Sequence, residues 1–175
     1  SLRSLFLDSN PVAFHDLSPI FRPEQLSRPF EIPWDHKSNL GTPNMLTGNA
    51  VYNSLLYLFF AISGSVILGH KLLLVFLIAI SGFGFYLFFS HLLRSKIASF
   101  LAGIHSIFNV YLYVRWHNGH NTLILAYAIL PFALLLFFRE KPLSSLIGGL
   151  LSSLILASNP HTAYLEFILV LLYSI

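Results

Sequence analysis

From residue 51 to its last residue, the chain is a series of apolar segments separated by short polar stretches. The segments cover residues 51–68, 72–92, 97–114, 122–138 and 143–157, and a sixth begins near His161. Hydrophobic residues make up 55% of the chain and charged residues only 10%, whereas about a quarter of the residues in soluble domains are charged. The pattern predicts an all-α fold, a polytopic transmembrane helical bundle that crosses the lipid bilayer several times. We expect it in the plasma membrane.

Residues 1–50 have a different character. They hold six of the nine prolines and five of the seven carboxylates. Proline lacks a backbone donor and disfavours helix at the preceding residue, so long helices are excluded here. Aromatic residues interleaved with charges are typical of the membrane–water boundary. We therefore predict two regions: a polar interfacial loop, residues 1–50, and a transmembrane bundle, residues 51–175. Because the chain starts without Met and stops inside an apolar run, we expect a fragment truncated at its C-terminus.

Composition also excludes some chemistry and some partners. The chain has no cysteine, which rules out disulfides and thiolate metal ligands. The net charge of +3 reflects few acids, with basic residues dispersed along the chain. That distribution argues against a nucleic-acid partner.

The path of segment 97–121 is the open question of topology. If it crosses the bilayer, Arg94, Lys96, Arg139 and Lys141 lie on one side with the N-terminal loop, and the positive-inside rule makes that side cytoplasmic. If it turns back, the basic residues divide evenly between the two sides. Charge alone does not decide between these alternatives.

The first candidate site lies in the N-terminal loop. Asp16 and Asp35 could each deprotonate an acceptor hydroxyl or orient a metal-bound phosphate, and Trp34 could stack on a sugar. Apolar neighbours give Asp16 the better prospects. The alternative is that these are solvated loop acids, with Asp16 capping a turn near Ser18.

The second candidate is the polar stretch between two apolar segments. Arg115, His117 and His120 offer donors for phosphate oxygens, and Trp116 offers an aromatic face to a sugar or lipid. His117 and His120 could also ligate a metal on a helix, but Gly119 favours a turn. The alternative is an interfacial Arg–Trp belt with solvated histidines.

The third candidate is Glu166, in a segment that has no other charge. An ionisable group in a membrane segment costs roughly 2.5–3.5 kcal/mol on insertion scales and marks a binding site unless it can reach water. Both interpretations of Glu166 remain open.

Several weak motifs follow one another along the chain: Asp16, the pair Trp34 and Asp35, Gly41-Thr42-Pro43, the small-residue stretch 98–103, Gly119-His120 and the stretch 126–131. Their order resembles that in the GT-C glycosyltransferases, polytopic enzymes that use polyprenyl-phosphate sugars. The chain is most similar in pattern to the arabinofuranosyltransferase-like proteins and their archaeal relatives.

The resemblance implies that Asp16 is the general base or orients a metal, and that Arg115 and His120 contact the donor phosphate or the acceptor. It implies a lipid-linked sugar donor. A divalent metal ion stays open, because the second loop lacks the acidic residue that many members carry. The chain is also much shorter than those enzymes.

Two other functions stay open from the sequence. One is a non-catalytic membrane subunit packed against other membrane subunits, or against the rest of a longer chain. The other, a transporter fragment, would require Glu166 and the proline-broken segments to line a cavity in the bilayer.

Overall fold

The computed structural model describes residues 34–35, 42–43, 50–93, 95–117, 120–139 and 141–173. It describes only the backbone of residues 34, 35, 42, 43, 50, 116 and 117. Two very short strands, β1 (Trp34–Asp35) and β2 (Thr42–Pro43), pair antiparallel, with Trp34 opposite Pro43. All other described elements are helices, so the all-α prediction is confirmed for this part of the chain.

Seven helices follow the strand pair. They are α1 (Ala50–Ser63), α2 (Val66–Leu92), α3 (Lys96–Ile107), α4 (Val110–His117), α5 (Asn121–Phe137), α6 (Pro142–Ser158) and α7 (Pro160–Tyr173). Each predicted apolar segment is largely helical, although segment 97–114 is divided into α3 and α4 and segment 51–68 contains the turn between α1 and α2.

The first helix boundary differs from the sequence prediction. The first two apolar segments, residues 51–68 and 72–92, predict a break at the polar residues between them, Gly69-His70-Lys71, yet these residues lie inside α2. The chain turns instead at Gly64, which has a φ of +68°, a conformation that glycine adopts without a Cβ penalty. The side chain of Ser65 then accepts a hydrogen bond from the backbone N–H of Leu68 and caps α2. A turn residue and a cap therefore end α1 before the polar residues are reached.

Asn109 divides α3 from α4. Its Oδ1 accepts a hydrogen bond from the Leu112 backbone N–H at 2.7 Å. Its Nδ2 donates to the Ser106 carbonyl oxygen at 2.7 Å and contacts the Tyr127 hydroxyl of α5 at 3.1 Å. One side chain thus ends a helix, begins the next and attaches the junction to a third.

Helices α2 and α5 run parallel, although they are not consecutive. His70, near the start of α2, faces Asn121 at the start of α5. In the middle, a Cβ on Gly84 would lie 2.7 Å from the Pro131 ring. Near the end, the Phe88 and Phe138 rings have centroids 5.4 Å apart. The order of these contacts is the same in both helices, which defines the parallel arrangement.

Because α2 and α5 are parallel, α3 and α4 must carry the chain back between them. Gly103 of α3 packs against Gly82 and Tyr86 of α2, and Leu112 of α4 joins the core formed by the first halves of α2 and α5. Segment 97–121 therefore returns along the length of α2 within this bundle and does not fold back to the end from which it began.

The last two helices complete the bundle. Gly148 of α6 lies against Ala133 and Leu136 of α5, and the Tyr173 ring of α7 stacks on Phe138 with centroids 3.7 Å apart. A second apolar core joins α2, α5 and α6; its buried members are Phe88, Ala126, Leu130, Ala133, Leu134, Leu135 and Ile155.

This topology gives the bundle two chemically different ends. The start of α2, the end of α4, the start of α5 and the junction of α6 with α7 form one end, called here the histidine end for His70, His120 and His161. The end of α2, the start of α3, the end of α5 and the start of α6 form the other, called the basic end for Lys96, Arg139 and Lys141.

Two described helical stretches are long and apolar enough to cross a membrane: Val66–Leu92, and Lys96–Arg115, which comprises α3 and most of α4. Four further helices, α1, α5, α6 and α7, are apolar but shorter.

Candidate functional site

Three polar side chains from three helices meet in the interior at the histidine end. Tyr52 of α1 is 1% exposed, His70 of α2 is 1% exposed and Asn121 of α5 is 3% exposed. The rings of Tyr52 and His70 meet edge to face with centroids 6.4 Å apart, and Asn121 faces His70 from the other helix. We call Tyr52, His70 and Asn121 the buried polar cluster.

The buried polar cluster is rich in unsatisfied hydrogen-bonding groups. Within the described part of the chain, the Tyr52 hydroxyl, both His70 ring nitrogens and both Asn121 amide atoms are buried without a hydrogen-bond partner. His70 and Asn121 face each other but do not reach ordinary hydrogen-bond geometry. An unsatisfied buried polar group costs about 1–3 kcal/mol. A cluster of several such groups is therefore a feature that stability alone does not favour.

The polar stretch between α4 and α5 adjoins this cluster along the chain. The His120 backbone N–H donates to the Arg115 carbonyl oxygen at 3.0 Å, and the His120 carbonyl accepts from the Ile124 N–H at 3.2 Å. His120 thus directly precedes Asn121 and sits where α5 begins. Among the sequence-predicted residues whose side chains are described, His120 is the one that adjoins the buried polar cluster along the chain, because it precedes Asn121.

Arg115 lies at the same end but is directed elsewhere. Its guanidinium carbon lies 5.2 Å from the centroid of the Tyr111 ring, one turn earlier on α4. Tyr111 is exposed, so this cation–π contact holds the charge on the outer face of α4. The guanidinium is therefore available to a ligand that approaches from outside the bundle.

For the other predicted site residues in the N-terminal loop and at the end of α4, the structure describes the backbone at most. Asp16 lies outside the described residues. Trp34 and Asp35 form β1, and Trp116 and His117 end α4, all four known by backbone alone. The helix ends at His117 and His120 lies beyond it, so the two histidines do not lie on one helix face. Among the described residues, no group of three His, Cys, Asp or Glu side chains could hold a metal ion.

Glu166 is not at the histidine end but inside the bundle. It is 3% exposed, and the Ser152 Oγ of α6 lies 2.7 Å from its Oε1. Glu166 therefore forms a second polar locus, separate from His120 and Arg115.

Sequence reasoning missed Tyr52, His70 and Asn121. His70 was interpreted as part of a polar break, because a histidine and a lysine between apolar runs indicate a loop. The available signal was Ser63-Gly64-Ser65, a better turn and cap than Gly69-His70-Lys71. Had the turn been assigned there, His70 would have been a polar residue within a membrane-type helix and hence a candidate.

No protein-family model, curated protein or solved structure matches this chain.

Proposed function

We propose that this chain is a multispanning membrane protein in which the histidine end forms part of the site of a GT-C type glycosyltransferase. The substrate class is a sugar carried on a polyprenyl phosphate. The observation that carries the proposal is the buried polar cluster of Tyr52, His70 and Asn121, which adjoins His120 in the fold.

The apolar exterior of the helices supports the location in a membrane. Ile97, Phe100 and Phe108 are 75%, 58% and 79% exposed, and Leu143, Leu146 and Leu150 form an exposed stripe on α6. In water such a surface would exceed the apolar patches usual on soluble monomers. In lipid, the same surface needs no covering, and the shorter helices can be matched by local thinning or tilt.

The distribution of charge suggests an orientation. Lys96, Arg139 and Lys141 are exposed at the basic end, whereas Arg115 and the buried Lys71 are the described Lys and Arg residues at the histidine end. By this margin the positive-inside rule favours the cytoplasm for the basic end. The histidine end then faces the opposite side, where it can meet a lipid-linked donor whose sugar extends out of the bilayer.

The chemistry at the histidine end suits the recognition of a phosphate and a sugar. Imidazole and amide groups of His70 and Asn121 offer both donors and acceptors, as a hydroxylated ligand requires. The Arg115 guanidinium, on the outer face of α4, offers a charged donor to a phosphate oxygen at the surface of the bundle and not to one among the buried groups.

This proposal requires the N-terminal loop to lie at the histidine end and not with the basic residues; it is supported by α1, which begins at Ala50, two residues before Tyr52 of the buried polar cluster. In the transfer that we propose, the acceptor hydroxyl attacks the anomeric carbon while Asp16 takes its proton. The bond from that carbon to the phosphate oxygen breaks, and the polyprenyl phosphate leaves with the bonding pair.

The test is sugar transfer in membranes that contain the protein, with radiolabelled polyprenyl-phosphate arabinofuranose and polyprenyl-phosphate mannose as donors and acceptor glycan present. We expect Asp16→Asn and Asn121→Ala each to reduce transfer by about a hundredfold or more, as loss of a catalytic proton acceptor or a transition-state contact does. Insertion is checked by membrane fractionation.

His105→Ala is the matched control. His105 is an exposed histidine on α3, distant in sequence from the cluster, and its loss should leave transfer unchanged. Transfer that persists in both Asp16→Asn and Asn121→Ala would refute the enzyme assignment. A non-catalytic membrane subunit would then be the better interpretation.

A further inference from the structure

Glu166 lines a groove between α6 and α7. The groove has a volume of about 460 Å³, which is in the range of small-molecule sites. Phe137 of α5 contributes to its wall. The remaining lining residues are Ser152, Ser153 and Leu156 of α6, and Pro160, Ala163, Tyr164, Phe167 and Val170 of α7. A nearly buried carboxyl group thus borders an opening whose walls are mostly apolar.

The hydroxyl of Ser152 makes two contacts that compete for one proton. Its Oγ lies 2.9 Å from the Gly148 carbonyl oxygen, in the usual pattern of a helical serine. The same Oγ lies 2.7 Å from Glu166 Oε1. A serine hydroxyl has one proton and two lone pairs. If it donates to Gly148, the contact with Glu166 requires a proton that comes from the carboxyl group.

The surroundings of Glu166 also favour the neutral acid. Of the titratable side chains, only Glu166 and Tyr164 line the groove, and no Lys, Arg or His is among its described lining residues. The faces of α5 and α6 that contribute to it present Phe137, Leu156 and two serines. An ionised carboxylate buried without a cation is costly by several kcal/mol, and such groups usually bind a proton instead.

We propose that Glu166 is a proton-binding site. In the protonated state the Glu166 carboxyl donates to Ser152 Oγ, and Ser152 donates to Gly148 O. When the proton leaves through the open side of the groove, the Ser152 hydroxyl rotates and donates to the carboxylate. It then no longer donates to the Gly148 carbonyl oxygen. The site thus has two hydrogen-bonded states that differ by one proton, and it does not depend on the glycosyltransferase proposal.

The test is labelling with dicyclohexylcarbodiimide, an apolar reagent that adds to an undissociated carboxyl group and leaves a stable acylurea. The protein is reconstituted in phosphatidylcholine vesicles, and the mass of the peptide that contains Glu166 is measured over a pH series. We expect modification at Glu166 at low and neutral pH. Above the titration midpoint the rate should fall about tenfold for each pH unit, since only the protonated form reacts.

Two serine variants sharpen the test without removing the acid. Ser152→Ala removes the donor that the carboxylate needs, so labelling should persist to higher pH. Ser153→Ala is the matched control, because the Ser153 Oγ donates to Leu150 O within its own helix, and its labelling profile should not change. Glu166→Gln should abolish the label.

Three results would overturn the proposal. One is the absence of label at Glu166 in the wild-type protein at every pH. Another is modification by a water-soluble carbodiimide alone. The third is a Ser152→Ala profile identical to that of Ser153→Ala.

Discussion

Gly82 of α2 and Gly103 of α3 lie against each other with no room for a side chain between them. A Cβ on Gly103 would lie 2.8 Å from the Gly82 carbonyl oxygen, and a Cβ on Gly82 would overlap the Ile107 side chain. Small residues at such positions let helices approach closely in membranes, where packing replaces the hydrophobic effect as the force between helices.

The first prediction concerns this contact. Gly103→Ala should destabilise the α2–α3 pair by about 1–3 kcal/mol, because the obstructing atom is backbone and cannot rotate away. Thermal unfolding in detergent, followed by loss of helical circular dichroism, measures the effect. Gly149→Ala is the matched control, since a Cβ there meets nothing within 4 Å. Equal melting temperatures for the two variants would contradict the tight contact.

The second prediction concerns the junction at Asn109. Asn109→Ala should cost about 0.5–2 kcal/mol, because it removes the acceptor for the Leu112 N–H at the start of α4. Asn109→Ser keeps a neutral side-chain acceptor of the kind that caps helix N-termini and loses only the donor to Ser106 and Tyr127, so its loss should be smaller. The two variants are compared by denaturant unfolding, and a larger loss for Asn109→Ser than for Asn109→Ala would contradict the cap assignment.

The third prediction concerns the turn at Gly64. An L-residue in the left-handed conformation costs roughly 1–2 kcal/mol, with asparagine better tolerated than others. Gly64→Ala should therefore destabilise the α1–α2 hairpin by about that amount, and Gly64→Asn by less. No atom lies within 4 Å of a Cβ placed here, so the change in stability reports the backbone conformation alone and not a steric clash. If Gly64→Ala were as stable as wild type, the positive φ would be in doubt.

The fourth prediction concerns the buried polar cluster. Asn121→Leu keeps the number and branching of the side-chain heavy atoms and removes two unsatisfied buried polar atoms. If the site accommodates the larger methyl groups, the substitution should raise stability by about 1–3 kcal/mol. If the cluster binds substrate, the same variant should lose transfer activity, because polar groups that bind a substrate are often unsatisfied, and hence destabilising, in its absence. A fall in melting temperature would instead show that Asn121 supports the fold.

The fifth prediction concerns the two ends of α6. Lys141 precedes this helix and His161 follows it, and both are exposed. Because the chain has no cysteine, Lys141→Cys and His161→Cys can each be labelled alone. In sealed vesicles, a membrane-impermeant maleimide should reach one of them from outside and the other only after permeabilisation. Labelling of both from the same side would contradict a membrane-spanning α6.

The positions of the helices could be predicted because apolar runs of this length have few other structures available. The junctions between helices could be predicted less accurately, because a junction depends on local backbone chemistry. Gly64 and Ser65 end one helix and cap the next within an apolar region, whereas His70 and Lys71 are carried into a helix interior. A hydropathy pattern predicts a break at His70 and Lys71, because these residues are strongly polar, more readily than at Gly64 and Ser65.

The candidate site was only partly predictable for a different reason. His120 could be found because it lies in an evident polar stretch. That the next residue, Asn121, faces His70 could not be found, since it depends on α5 lying beside α2, which no local pattern encodes. Glu166 was identifiable from its charge, but its contact with Ser152 required the packing of α6 on α7.

The parallel pairing of α2 with α5 also has a consequence for biosynthesis. When α2 leaves the ribosome, its face for α5 has no partner until α3 and α4 have been made and have returned along it. During that interval the faces of His70 and Gly84 that α5 buries must be covered by α1 or by the surroundings of the nascent chain. We therefore expect assembly of this protein to be limited by the emergence of α5, with α1–α3 held as an intermediate.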